Sequence, residues 1–238
     1  DKIIKKKYSY LPSKKDYDLI KSSILFENEH YFVLNKPYNL AVQSGTKTGK
    51  NIFDILKNFK ETEYLTPHLV HRLDAETTGI LIISKTYKSA KFFSEHFKNQ
   101  TIKKSYLAIV EGVFENKKGT LKNELAYIEN NKEKIHLSIT NYKVISETKD
   151  YTLLILNPET GRKHQLRRQL SFIKHPILGE KKYTNKSLNK SKELHLMLHA
   201  YKVEFSLNNK KITHQVDPSL YFKDFCKEQK LIYELNNL

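Results

Sequence analysis

The chain has 238 residues, with 42 Lys+Arg against 26 Asp+Glu, a formal charge of +16, and 39% hydrophobic and 11% aromatic residues. That much apolar side chain can offset chain entropy, which excludes a disordered chain. No apolar run approaches the ~18–20 residues of a membrane span, and the single cysteine, Cys226, excludes a disulfide framework or a multi-cysteine zinc site. The basic excess points to a polyanion partner, nucleic acid above all. The abundance of Lys, Asn, Ile, Tyr and Phe is also what an AT-rich genome imposes.

Residues 1–23 carry Lys5–Lys7 and Lys14–Lys15 around Pro12 with little periodicity, and read as a basic linker or arm. Asp1 comes first and Met197 is the only methionine, so an upstream segment is expected to be missing. The chain is long enough for one large domain or two small ones, and regular structure starts near Ile24. EHYFVLN (29–35) reads as a strand ending at Lys36–Pro37, followed by a loop holding Gly45 and Gly49. Asn51 caps a predicted helix whose Ile52, Phe53, Ile55, Leu56 and Phe59 share one face. GILIIS (79–84) reads as a buried strand, and Thr86 opens a helix with Ala90, Phe93 and Phe97 at helical spacing. IKKSYLAIV (102–110) is a further strand. Several β-like runs follow over 119–157, broken at Asn130–Asn131 and Lys149–Asp150. A third helix is predicted over Lys163–Phe172, then strands Leu194–His199 and Val203–Leu207 paired through Asn208–Asn209, and a last helix over Leu220–Glu228. Meandering strands with few helices predict an α+β fold: a mixed, largely antiparallel β-sheet core with flanking helices.

Only four of the basic residues are arginine, and they fall in two short segments, Arg72 in one and Arg162, Arg167 and Arg168 in the other. In a lysine-biased chain, arginine marks positions where a point ammonium will not do, such as bidentate pairing to carboxylate or phosphate. The first segment, His71–Arg72–Leu73–Asp74, sets a cation, a carboxylate and an imidazole in a loop between apolar runs. Alone it reads as a surface ion cluster. The second, GRKHQLRR (161–168), places its arginines in the first two turns of a predicted helix, where free N–H groups favour anions. Arg162, Arg167 and Arg168 cannot all point one way, so at least one is expected to face inward. His195 and His199 lie in a strand-like run and read as packing residues. No phosphate-cradling loop, dinucleotide fingerprint, HExxH or nucleophile elbow occurs.

Five ordered blocks resemble the RluA-type family of RNA pseudouridine synthases: VLNKPYNLAVQSG (33–45), LVHRLDAETTGILIISKT (69–86), KKSYLAIVEG (103–112), GRKHQLRRQL with HPILGE (161–170, 175–180), and LHLMLHAYKVEF (194–205). The KPYNLAVQSG stretch is most similar to the large-ribosomal-subunit enzymes of the RluC kind. The resemblance implies the pseudouridine synthase catalytic fold as one domain over 24–238, with a small RNA-binding domain as the missing upstream segment. It also implies an isomerisation without cofactor or metal, in which uracil leaves C1′, rotates and rejoins through C5. It makes Asp74 the catalytic carboxylate, as nucleophile or as base at the ribose, Arg167 its ion-pair partner, and Tyr106 the aromatic stacked on the base. Arg72 would fill the space of the flipped nucleotide. Arg162, His164 and Gln165 would contact RNA backbone or shape the pocket, and Lys36 would add an RNA or substrate contact. The implied partner is large-subunit ribosomal RNA, with no membrane, and the chain would act as a monomer in the cytoplasm, bacterial or organellar. Two departures stand out: Gln169 where the family often has His, and Tyr38–Asn39 where a small residue and glycine are usual. Two other readings fit the residues: a non-catalytic RNA-binding or ribosome-assembly module, and a metal-dependent nuclease built on Asp and His.

Overall fold

The computed structural model describes residues 10–44, 49–58, 67–129, 132–184 and 193–233. Two compact units divide between Asn99 and Gln100, where one domain was expected over 24–238.

In the first unit, α1 (Lys14–Ser22) falls inside the expected arm. Asp16 accepts from both the amide and the hydroxyl of Ser13, each at 2.7 Å, and Ile20 is buried. A capping acid and one apolar anchor suffice here, and the surrounding lysines hide them in sequence. Then come β1 (Ile24–Glu27), β2 (Tyr31–Lys36), α2 (Ile52–Lys57), β3 (His68–Leu69), β4 (Thr78–Ser84) and α3 (Tyr87–Lys98). β2 pairs antiparallel with both β1 and β4, and β3 pairs with β4. The caps are those expected: Asn51 Oδ1 accepts from Asp54 N at 2.9 Å and Thr86 Oγ1 from Ser89 N at 3.1 Å. Val33, Leu34, Ile52, Ile55 and Leu81–Ile83 are fully buried, so GILIIS is sunk on both faces as its continuous apolar run requires. Gly45 and Phe59 lie outside the described residues.

The second unit contains β5 (Lys103–Glu111), β6 (Lys118–Glu129), β7 (Lys132–Glu147), β8 (Tyr151–Pro158), α4 (Gln165–Phe172), β9 (Leu198–Leu207), β10 (Lys210–Gln215) and α5 (Leu220–Glu228). Its strands pair antiparallel in the order β10–β9–β5–β8–β7–β6. The core runs through Leu107–Val110, Leu153, Leu154, Leu156 and Leu170. With helices flanking these ladders, the α+β class and the largely antiparallel sheet are as expected. Asn130–Asn131 lie outside the described residues. Of the strands expected at Leu194–His199 and Val203–Leu207, residues 194–197 lie outside any strand and the rest is one strand, β9, continuous through a bulge opposite Ser105–Tyr106. Asn208 and Asn209, at φ 51° and 60°, form the two-residue turn to β10, a partner too polar to stand out in sequence. Cys226 is buried in α5, where burial pushes its thiol up to about 12. No helix among the described residues is long and apolar enough to cross a membrane.

Candidate active site

In the first unit, HRLD forms the entry to β4 and is held by its own neighbours. The Ile82 amide donates to His71 Nε2 at 2.9 Å, so this nitrogen carries no proton. The ring also stacks on Phe97 at 4.4 Å. Leu73 is buried while Arg72 is exposed and Asp74 is half-buried. The Thr77 amide donates to Asp74 O at 3.1 Å, closing a turn directly after the carboxylate. His71 and Leu73 thus fix the loop from inside, and Arg72 and Asp74 project from it.

Lys36 corrects an expectation. It is not exposed at all, and its ammonium donates to the carbonyls of Pro37, Leu40 and Ala75 at 2.8, 2.9 and 2.8 Å. Three donors meeting three acceptors leave none for RNA. Lys36 instead ties the 37–40 turn to the residue that follows Asp74. Burial lowers its pKa to about 7, against the opposing pull of the Asp74 charge. Asn39 meets the turn at φ 57°, a left-handed conformation that asparagine tolerates in place of glycine.

In the second unit, α4 starts at Gln165, so Arg162 lies in the preceding loop, exposed, and outside the helical turns expected for it. His164 ends that loop at φ 54°, a costly conformation for a non-glycine residue, and its Nδ1 lies 2.7 Å from Tyr183 Oη. Gln165 is buried and its amide is saturated. Oε1 accepts from Thr160 Oγ1 (2.7 Å) and Arg162 N (3.1 Å), and Nε2 donates to Ile139 O (3.1 Å) and Thr140 Oγ1 (2.9 Å). Of the two roles expected for it, only shaping the loop is open to so enclosed a side chain.

Arg167 is the arginine that faces inward. It is 3% exposed and grips Glu180 with two parallel bonds, Nε to Oε2 at 2.5 Å and Nη2 to Oε1 at 2.8 Å. Glu180 is fully buried and also accepts from the amides of Lys182 (2.7 Å) and Tyr183 (3.3 Å). Burial pushes its carboxyl up, but Arg167 and those amides hold it below the usual value. Just before Glu180, Gly179 lies at φ 80° directly against the backbone at His195, where a Cβ would fall 2.3 Å from His195 O. Arg168 stacks 4.4 Å above Tyr127, the second arginine in a planar role. Gln169, where the family often has His, is buried and binds Thr140, Leu121, Asn123 and Ser138, pinning α4 to β6 and β7. Tyr106 is half-buried in β5, opposite Leu156 of β8.

Sequence reading missed Glu180 and Tyr183. The signal for Glu180 was a lone acid thirteen residues after an arginine already expected to seek a carboxylate. Tyr183, which meets both His164 and the Arg167 and Arg168 guanidiniums, had no such signal among fifteen tyrosines. Among the described residues no group of three or more His, Cys, Asp or Glu could hold a metal ion.

The sequence profile of the RNA pseudouridylate synthase family matches residues 30–172. The chain belongs to that family and is therefore an isomerase. It is 30% identical over 237 residues to ribosomal large subunit pseudouridine synthase D of Borreliella burgdorferi, covering 91% of this chain and 72% of that protein. To ribosomal large subunit pseudouridine synthase C of Rickettsia prowazekii it is 34% identical over 194 residues, covering 77% of this chain and 63% of the relative. The structure of human RNA pseudouridylate synthase domain containing 4 superposes with a TM-score of 0.79 at 25% identity, over 91% of this chain and 96% of that one.

Proposed function

We propose that this chain converts uridines to pseudouridines in large-subunit ribosomal RNA, with Asp74 as the catalytic carboxylate. The observation that carries the reading is the build of the 71–77 turn. Lys36, His71 and Leu73 are spent inward on fixing it, around a half-buried aspartate beside an exposed arginine. A carboxylate held in place by backbone anchors suits chemistry at a ribose carbon, since orientation supplies much of such a rate. In the reaction the C1′–N1 bond breaks, C1′–C5 forms, N1 takes up a proton and C5 gives one up. Asp74 acts at the ribose as nucleophile or base. Arg167 supplies the opposing charge, and Glu180 keeps its guanidinium in one plane. Tyr106 stacks on the uracil, Arg72 takes the place of the flipped nucleotide, and Arg162 and His164 meet RNA backbone. The names of the bacterial relatives support the ribosomal substrate, and with it a bacterial cytoplasmic enzyme. The test is pseudouridine mapping of large-subunit RNA from cells lacking the gene, after incubation with the purified protein. New pseudouridines should form with wild type and none with Asp74→Asn. Tight RNA binding with no pseudouridine formed by wild type would make the chain a binding module instead.

A further inference from the structure

Beside the start of β5 lies a cavity of about 380 Å³, lined among others by Lys104, Ser105, Asn157 and Glu159. Lys104 is half-buried, and among the described residues its ammonium has no hydrogen-bond or ion-pair partner. The two carboxylates of the cavity wall are engaged elsewhere, Glu159 with Asn141 Nδ2 at 2.8 Å and Glu204 with Lys211 at 2.6 Å. Burial accordingly lowers the Lys104 pKa with no neighbouring anion opposing it. A desolvated ammonium without a counter-charge weakens a fold, and such a group is best explained by a ligand that supplies the charge. Two further facts say which ligand. Lys104 and Tyr106 stand two residues apart on the same strand, so they share a face about 7 Å apart. Lys104 Nζ also sits close against Gly161, 3.6 Å from where a Cβ would be, in the loop that carries the exposed Arg162.

We infer that Lys104, with the Gly161–Arg162 loop, forms a phosphodiester-binding subsite that seats the RNA backbone one step from the base stacked on Tyr106. The subsite rests on the RNA-modifying reading above and adds to it a substrate-positioning residue. Lys104 would grip through charge, holding the strand while the base is out of its stack.

The test uses the full chain and a transcript of large-subunit ribosomal RNA, with Lys104→Gln, Lys104→Arg and, as an equal loss of charge, Lys149→Gln in the exposed turn before β8. Filter binding across a salt series should show Lys104→Gln weakened about tenfold, with the salt slope reduced by roughly 0.7–0.9. Lys104→Arg should bind close to wild type, and Lys149→Gln should change little. The Tm of Lys104→Met should equal or exceed that of wild type, because the substitution removes an unpaired charge and no contact. Equal binding by Lys104→Gln and Lys149→Gln, or a lowered Tm in Lys104→Met, would overturn the subsite. RNA binding that depends on Lys104 in a wild-type protein that forms no pseudouridine would leave the subsite standing and break the isomerase reading.

Discussion

The loop bearing Arg72 and Asp74 and the helix bearing Arg167 and Arg168 are both short basic segments, yet they are held by opposite means. Backbone anchors hold the first: an ammonium bound to three carbonyls and an imidazole accepting one amide. The second is held by side chains, a bidentate Arg167–Glu180 pair flanked by the saturated amides of Gln165 and Gln169. Backbone anchors fix where a turn lies. A side-chain network fixes the orientation of the arginine itself, so in the helix the residue proposed to act on the substrate and the residue that holds the fold are one. The consequence is that damage should separate cleanly in the loop, into stability at Lys36 and activity at Asp74, whereas a single substitution at Arg167 should harm both.

The largest effect on stability belongs to Glu180→Ala, which strands a buried guanidinium. It should cost about 3–5 kcal/mol, lowering Tm by roughly 6–20 °C at ~2–4 °C per kcal/mol. The double variant Arg167→Met/Glu180→Leu should recover most of that loss while staying inactive. A Glu180→Ala protein that melts like wild type would break the comparison.

Lys36→Met should come next, at about 2–4 kcal/mol, because three buried carbonyls lose their donor. Its pH dependence sharpens the point. With the folded pKa lowered to about 7, the unfolded chain binds this proton more tightly from there up to its ordinary value of about 10.4. Wild-type stability should therefore gain with rising pH across that window, and Lys36→Met should lack that gain in parallel urea titrations.

Gln169→Ala should cost about 1–3 kcal/mol by leaving buried partners on β6 and β7 unsatisfied, read by chemical denaturation. The exposed Arg72 marks the small end of the scale. Arg72→Gln should change stability by less than about 0.5 kcal/mol yet slow pseudouridine formation. Equal melting curves and unequal rates are the expected pair of results.

Much of this fold was legible in the sequence where one segment carried its own signal. GILIIS declared a buried strand, Asn51 and Thr86 declared helix starts, and the rarity of arginine pointed to an inward guanidinium. What stayed hidden depends on partners remote in the chain. Lys36 looks like a strand-end lysine bound for solvent, and only the Ala75 carbonyl, 39 residues on, completes the cage that buries it. Arg162 was placed in the helix because nothing in KHQL marks His164 as a left-handed residue that delays the first turn. In the same way, Gln165 reads as a polar contact until its four partners from two segments are in place.

The central claim is that Asp74 isomerises uridine, and tritium release from C5-labelled large-subunit ribosomal RNA tests it most directly. Wild type should release tritium without added metal or cofactor, whereas Asp74→Asn, with an unchanged melting curve, should fall by at least ~10³-fold. Undiminished release from Asp74→Asn would contradict the account.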